Sequence, residues 1–254
     1  MAAGLHVRKQ IMKALKKYTA ARIKHLEELL DAFEEFKEVE TLHEIRIEIK
    51  KIKAVLIVIG KCSKEFKVHK NFLPFREIFR KAGDIRDPEV ASRLATRYGL
   101  TDAPPKKVGS TPETEKDLFV FDAETFKDRV HSRRKVIGSA ATQVKKKDFR
   151  KAISSLKAAV KKSLFPKADR QQLHATRKVM KQLLYLSEIE DFLSKKEQRF
   201  LSAGEMLIGQ WHDKQVLSAL TKKDGQDPAH LKEKMKEEMK MLSALSDKFY
   251  KPSR

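Results

Sequence analysis

The feature that most limits the possible folds of this chain is the spacing of its apolar residues. Nearly every segment repeats apolar side chains at steps of three and four residues, the spacing of one face of an α-helix. Only 9 Gly and 8 Pro interrupt this pattern in 254 residues. The sequence therefore predicts an all-α protein, long enough for one large domain or two small ones.

Glycines, prolines and capping residues predict where the helices begin and end. A helix that ends at Gly83 is followed by Asp87 and Pro88, a typical helix N-terminus, which predicts a new helix ending near Gly99. In the same way, Asp213 is interpreted as a helix N-cap. The predicted helices are 5–36, 42–59, 69–81, 88–99, one from about 123, then 149–164, 169–192, 195–208, 213–222 and one from Asp227-Pro228 onward.

A stretch rich in turn-forming residues lies near the middle of the chain. Residues 100–121 contain two adjacent prolines, a Gly-Ser pair and a further proline. We therefore predict a first helical repeat over 1–100, a linker over 101–121 and a second helical repeat over 122–254.

The two halves on either side of this linker contain similar segments, which indicates an internal duplication. LHEIRIEIKKIKAVL (42–56) matches LHATRKVMKQLLYLS (173–187) at Leu, His, Arg and the first Lys. Further along, GDIRDPEV (83–90) matches GQWHDKQV (209–216) at Gly, Asp and Val. The two matches occur in the same order and at nearly the same spacing in both halves, so chance is a poor explanation.

The first matching segment places its cations on one side of a helix. With His43 at zero and about 100° per residue, Arg46, Lys50 and Lys53 fall between about 280° and about 340°. The isoleucines of the segment form the adjoining face, and Glu44 lies on the far side. The second copy repeats this cationic stripe with His174, Arg177 and Lys181, and Lys178 adds another cation.

A cationic stripe beside a buried stripe is costly to bury without an anion, so we expect it to line a groove or pore. An ordinary solvated helix face is the alternative. The repetition of the stripe favours the groove. Residues 126–182 carry 18 Lys or Arg against three acids, a net +15 within a chain total of +21. Such an excess indicates a polyanionic partner.

Other features argue against several alternative classes of protein. The chain has no long apolar run and no apolar leader, so we expect a cytoplasmic protein without a membrane span. The single Cys62 excludes an internal disulfide, and no two histidines have metal-binding spacing, so neither a metal nor a cofactor is expected. We find no nucleophile with an adjacent base and predict that the protein is not an enzyme.

Two other binding classes stay open at this stage. A segment of charge +15 would attract nucleic acid non-specifically, although few aromatic residues accompany the cations. The histidines leave open a metal-binding or phosphoacceptor role. A structural scaffold is a further alternative.

The ordered combination of LHEIRIEIKKIK, GDIRDPEV and LHATRKVMKQLLY with a second Gly and Asp resembles the CHAD family, the conserved histidine α-helical domain. The resemblance covers essentially the whole chain. It implies two helical bundles related by a pseudo-twofold axis, with a basic pore between them that binds inorganic polyphosphate, and association with polyphosphate granules.

Carried over residue by residue, the resemblance implies a set of polyphosphate-binding residues. Arg86 enters the set because it matches the family's Arg-Asp step, although His212 replaces that arginine in the second half. Protein partners are not predicted. The implied set is His43, Arg46, Lys50, Lys53, Arg86, His174, Arg177, Lys178 and Lys181.

Overall fold

The computed structural model of the chain describes residues 2–99, 111–164, 171–223 and 229–251, with only the backbone for 2–10 and 220–223. Within these residues the chain is all-α, as predicted, and contains no strand. None of the described helices is long and apolar enough to cross a membrane. The helices are α1 (Ala2–Phe36), α2 (Val39–Cys62), α3 (Val68–Arg97), α4 (Pro112–Thr142), α5 (Lys146–Leu164), α6 (Leu173–Ser187), α7 (Lys195–Lys223) and α8 (Ala229–Tyr250).

By internal packing the chain divides into two compact units. Unit 1 comprises residues 1–93 and 105–152, and unit 2 comprises 94–104 and 153–254. Helix α1 packs against α2 and α4 in unit 1, and α7 packs against α6 and α8 in unit 2. The predicted boundaries of the two repeats, 1–100 and 122–254, describe an internal duplication of the sequence. They stay a prediction.

The core of unit 1 forms where α1, α2 and α4 meet. Helix α2 buries Ile45, Ile49 and Ile52 at three- and four-residue steps, so its apolar stripe is the one that the sequence indicates. Phe119 packs edge-on against Phe33 of α1, with ring centroids 5.1 Å apart. Burial of side chains of this size contributes roughly 1.5–3 kcal/mol each.

The core of unit 2 is built from the apolar faces of α5 to α8. Phe200 of α7 stacks on Phe249 of α8, with ring centroids 4.0 Å apart. Lys214 and Glu238 form a buried ion pair between the same two helices. Removal of either partner would leave a buried charge unpaired, which typically costs 3–5 kcal/mol.

Two predicted helix breaks are wrong. Helix α3 continues through Gly83 and Pro88 to Arg97, and α7 continues through Gly209 and Asp213 to Lys223. Gly83 and Gly209 are both buried mid-helix residues, so they do not act as helix C-caps. Pro88 is exposed, and a carbonyl that loses its helical partner on an exposed face can bond to water.

The predicted start of the helix after the linker is also wrong. Helix α4 begins at Pro112, well before the predicted start near Ala123. The Thr111 side chain accepts a hydrogen bond from the Thr114 amide, and Pro112 occupies the first turn. These are strong N-terminal signals. Residues 100–110 lie outside the described part of the chain, as do 224–228, where the last predicted helix start falls.

Candidate functional site

In each unit, the arginine of the His-x-x-Arg motif lies against a glycine on the following helix. Arg46 of α2 occupies the space that a Cβ atom on Gly83 of α3 would need. A Cβ atom on Gly209 of α7 would lie 2.7 Å from Nη2 of Arg177 of α6. The two segments that match between the halves therefore meet within each unit, which explains why they occur together.

In unit 1 the cationic stripe of α2 contacts α3. Arg46 Nη1 donates a hydrogen bond to Asp87 Oδ1 at 2.9 Å. The Arg46 guanidinium carbon lies 4.5 Å from the Phe79 ring centroid, and Lys50 Nζ lies 5.6 Å from the same centroid. Lys53 Nζ lies 4.8 Å from the Phe72 ring centroid. Cation–π attraction thus holds the stripe in place, at about 0.5–1 kcal/mol for each partly exposed contact.

Arg86 adds a second guanidinium to the unit 1 site. Its Nε is buried and has no hydrogen-bond partner within the described part of the chain. Burial lowers the pKa of Arg86, and the charge of Arg46 lowers it further, while Glu40 and Asp87 act in the opposite direction. Two guanidinium groups close enough to affect each other in this way favour a bound anion. His43 is half-buried on α2, one turn before Arg46.

In unit 2 the equivalent cations pair with a carboxylate. Arg177 Nε donates a hydrogen bond to Glu205 Oε1 at 2.7 Å, and Lys181 Nζ lies 3.1 Å from the same oxygen. The Glu205 side chain is only 18% exposed, so this pairing is partly shielded from solvent. Lys178 is exposed on α6.

Two histidine rings lie side by side in the unit 2 site. The ring centroids of His174 and His212 are 4.9 Å apart, and none of the described residues forms a hydrogen bond with the buried His212 Nδ1. Burial lowers the pKa of His174 below its ordinary value of 6.5, and the nearby Lys178, His212 and Arg177 lower it further. This ring therefore favours its neutral form in the free protein.

Asp213 lies inside α7, so its predicted role as an N-cap is wrong. Burial raises the pKa of the Asp213 carboxyl, and the charge of Arg177 opposes this increase. Asp87, at the corresponding position, also lies inside a helix, and its carboxylate pairs with Arg46 instead of capping α3. Both aspartates therefore belong to the electrostatic surroundings of the motif arginines.

Counted from the glycines, the two sites carry different residues at two positions. Phe79 and Glu205 each lie four residues before the glycine, and each contacts the motif arginine and lysine. Arg86 and His212 each lie three residues after it. Both carry a buried nitrogen that has no hydrogen-bond partner in the described ranges. The two sites thus share a geometry and differ in charge.

The sequence correctly places the motif cations on one side of each helix, but it does not reveal what they contact. The helix that carries each cationic stripe has no acid within the stripe. The following helix supplies the acid that pairs with the motif arginine, Asp87 in unit 1 and Glu205 in unit 2. Phe79 was also missed. An aromatic residue one turn before the glycine was the available signal for it. Among the described residues, no group of three or more His, Cys, Asp or Glu side chains is placed to hold a metal ion.

Comparison with solved structures identifies the architecture. The crystal structure of the CHAD domain from the plant Ricinus communis matches with a TM-score of 0.59 and 17% sequence identity, over 96% of this chain and 89% of that one. The chain has a CHAD-like fold. No protein-family model matches the sequence, and no curated protein matches it. At this identity, the likeness to the plant CHAD domain concerns the fold alone.

Proposed function

We propose that this protein binds inorganic polyphosphate, without catalysis, at its two His-x-x-Arg sites. The observation that carries the proposal is the arrangement repeated in both units. In each, a motif arginine is held against a glycine, and the residue three positions after that glycine has a buried nitrogen that finds no hydrogen-bond partner among the described residues. A buried polar atom without a partner is costly, and an incoming anion can satisfy such a group when it acts as a donor.

The chemistry of the unit 1 site suits phosphoryl oxygens. A guanidinium has five N–H donors in a planar fork, and the bond from Arg46 to Asp87 uses one of them. The Asp87 side chain is 62% exposed, so the carboxylate can turn away toward solvent when phosphate arrives. Arg86 and Lys50 supply further positive charge beside it. Arginine forks and ammonium groups are the donors that a row of phosphates without bases requires.

The resemblance of the motifs to the CHAD family narrows the polyanion to polyphosphate. The CHAD-like fold is consistent with this choice. The proposal includes the finer features that the resemblance implies, namely pseudo-twofold related bundles that share a basic pore, and residence in the cytoplasm at polyphosphate granules. Lys53, Lys178 and the two motif histidines complete the proposed binding set.

Removal of the motif arginines tests this proposal. We expect Arg46→Ala and Arg177→Ala each to weaken binding of long-chain polyphosphate several-fold, and the double variant to weaken it further, because each loses a fixed guanidinium. Fluorescence anisotropy with labelled polyphosphate measures the affinities. The matched control is Arg134→Ala with Arg150→Ala, which removes two exposed arginines of α4 and α5.

The proposal predicts a clear difference between the motif pair and the control pair. Equal losses in both pairs would mean that polyphosphate responds only to net charge. Unchanged affinity in the motif pair, with melting temperatures near that of the wild type, would contradict the assignment of these sites.

A further inference from the structure

A second basic depression lies in unit 1, between α3 and α4. Its volume is about 620 Å³, within the range of about 300–1,000 Å³ for small-ligand sites. Four arginines line it, together with Glu77 and Ser132: Arg76 and Arg80 from α3, and Arg129 and Arg133 from α4. We refer to it as the arginine groove.

The charges of the arginine groove are only partly compensated. Glu77 Oε2 accepts a hydrogen bond from Arg129 Nη1 at 2.7 Å, which accounts for the one acid and one of the arginines. Within the described part of the chain, Arg76, Arg80 and Arg133 form no ion pair. Three positive charges around one cavity repel each other, so an anion that enters it gains favourable interactions with all of them.

Arg133 provides an independent indication of a ligand. Its side chain is half-buried, and its Nε is fully buried with no hydrogen-bond partner among the residues that the structure describes. A buried guanidinium N–H without an acceptor is costly, so the Arg133 side chain would gain from a rearrangement that brings it an acceptor, and it already lines the cavity. The Ser132 hydroxyl already donates to the Arg129 carbonyl oxygen at 2.7 Å.

The arginine groove is separate from the His-x-x-Arg site. The motif cations contact the side of α3 that packs on α2, through Phe79, Gly83 and Asp87. The groove lies between α3 and α4, and its lining includes none of the motif cations of α2 and none of the three α3 residues that contact them. A ligand there would be held by a different set of arginines.

From this arrangement we propose that the arginine groove binds a compact anion with two or three consecutive phosphoryl groups. Three uncompensated guanidinium groups match the charge of such an anion, and their forks match its oxygens. A triphosphate group can come from an inorganic triphosphate or from a nucleoside triphosphate. The groove would bind the consecutive phosphoryl groups that these two ligands share. The proposal is independent of polyphosphate binding at the motif sites.

Calorimetric titration of the full chain with inorganic triphosphate and with ATP tests the proposal. The titrations use the Arg46→Ala/Arg177→Ala background, so that the motif sites contribute little. Adding Arg80→Gln/Arg133→Gln should weaken triphosphate binding at least about tenfold, because two forks are lost. Adding Arg134→Gln/Arg150→Gln, which removes the same charge from exposed positions of unit 1 outside the groove lining, should change it less than about twofold.

A conservative variant separates fork geometry from charge. Arg133→Lys keeps the positive charge but lacks the planar guanidinium fork, so we expect it to lose most of the affinity that Arg133→Gln loses. Tighter binding of inorganic triphosphate than of ATP would indicate an inorganic ligand, the reverse order would indicate a nucleotide, and both results support the groove.

Two outcomes would overturn the proposal. One is an equal loss in the groove pair and the exposed pair, with unchanged melting temperatures. The other is loss of triphosphate binding already in the Arg46→Ala/Arg177→Ala background, which would leave polyphosphate binding at the motif sites intact as a proposal. Conversely, unchanged polyphosphate affinity in the Arg46→Ala/Arg177→Ala variant, together with triphosphate binding that needs Arg80 and Arg133, would contradict the motif sites and support the groove.

Discussion

At the scale of single residues, the two sites differ most in the residue one turn before the glycine. Phe79 offers an aromatic face to Arg46 and Lys50, whereas Glu205 offers a carboxylate to Arg177 and Lys181. A phosphate that binds in unit 2 must compete with this partly buried carboxylate. In unit 1 the competing Asp87 is mostly exposed. We therefore expect unit 1 to bind polyphosphate more tightly than unit 2.

Replacement of this one residue in each half should shift affinity in opposite directions. Glu205→Gln should strengthen polyphosphate binding several-fold, because Arg177 and Lys181 lose their competing anion. Phe79→Glu should weaken it by a similar factor, because it introduces that anion in unit 1. Anisotropy titrations of both variants measure the effect, with melting temperatures as the control for folding. Two unchanged affinities would show that this position does not face the ligand.

His174 should make binding sensitive to pH. Its lowered pKa keeps the ring neutral in the free protein, and a bound phosphate beside it would raise that pKa by favouring the charged form. Binding therefore takes up a proton, and affinity should increase as the pH falls from about 8 to about 6. NMR titration of the His174 ring with and without polyphosphate measures the change, and His174→Gln should reduce the pH dependence. A ligand-independent pKa would contradict a role for this ring in the site.

At the scale of helices, the sequence predicts amphipathic faces better than helix ends. The apolar stripe of α2 gives its buried face correctly, because it depends only on the 3.6-residue period. The predicted helix ends at Gly83 and at residue 208, next to Gly209, are wrong, because glycine is also required where another side chain approaches a backbone closely. Only the packing of Arg46 and Arg177 distinguishes these two reasons.

Substitution of these glycines should separate stability from binding. Gly83→Ala gains about 0.8–1.0 kcal/mol of helix propensity, but its methyl group would displace the Arg46 guanidinium. Because that guanidinium is the end of a flexible side chain, we expect little net loss of stability and a several-fold loss of polyphosphate affinity. Gly138→Ala in α4 is the matched control, since a Cβ atom there meets nothing within 4 Å.

The two alanine variants should therefore give different patterns of denaturant unfolding and binding. Gly138→Ala should increase the free energy of unfolding and leave affinity unchanged. If Gly83→Ala also leaves affinity unchanged, the contact of Arg46 with α3 does not position it for ligand.

At the scale of the whole molecule, the all-α class and the motif positions could be predicted from the sequence, whereas the partners of the cations could not. Asp87 lies four residues after its glycine and Glu205 four residues before its own, so no shared spacing marks the acids that pair with the motif arginines. They are brought to the motif by the packing of α3 on α2 and of α7 on α6. The arginine groove was missed for the same reason, because its four arginines come from two helices.

Net charge alone would make the chain bind many polyanions. With a formal charge of +21, it should bind polyphosphate and nucleic acids at low salt, largely through counterion release. Salt screens the general attraction between this positive charge and any polyanion. The arginine forks of the motif sites are held in place, so they should still prefer phosphate chains at higher salt. Selectivity at physiological salt therefore distinguishes a built site from a basic surface.

The most direct test of polyphosphate binding is a competition titration at about 0.15 M salt. Labelled long-chain polyphosphate bound to the full chain is displaced with unlabelled polyphosphate, single-stranded DNA, double-stranded DNA or RNA, at equal phosphate concentration. We predict that unlabelled polyphosphate displaces the label at much lower concentration than any nucleic acid, and that Arg46→Ala/Arg177→Ala removes this preference. Equal or better displacement by a nucleic acid would contradict the proposed function.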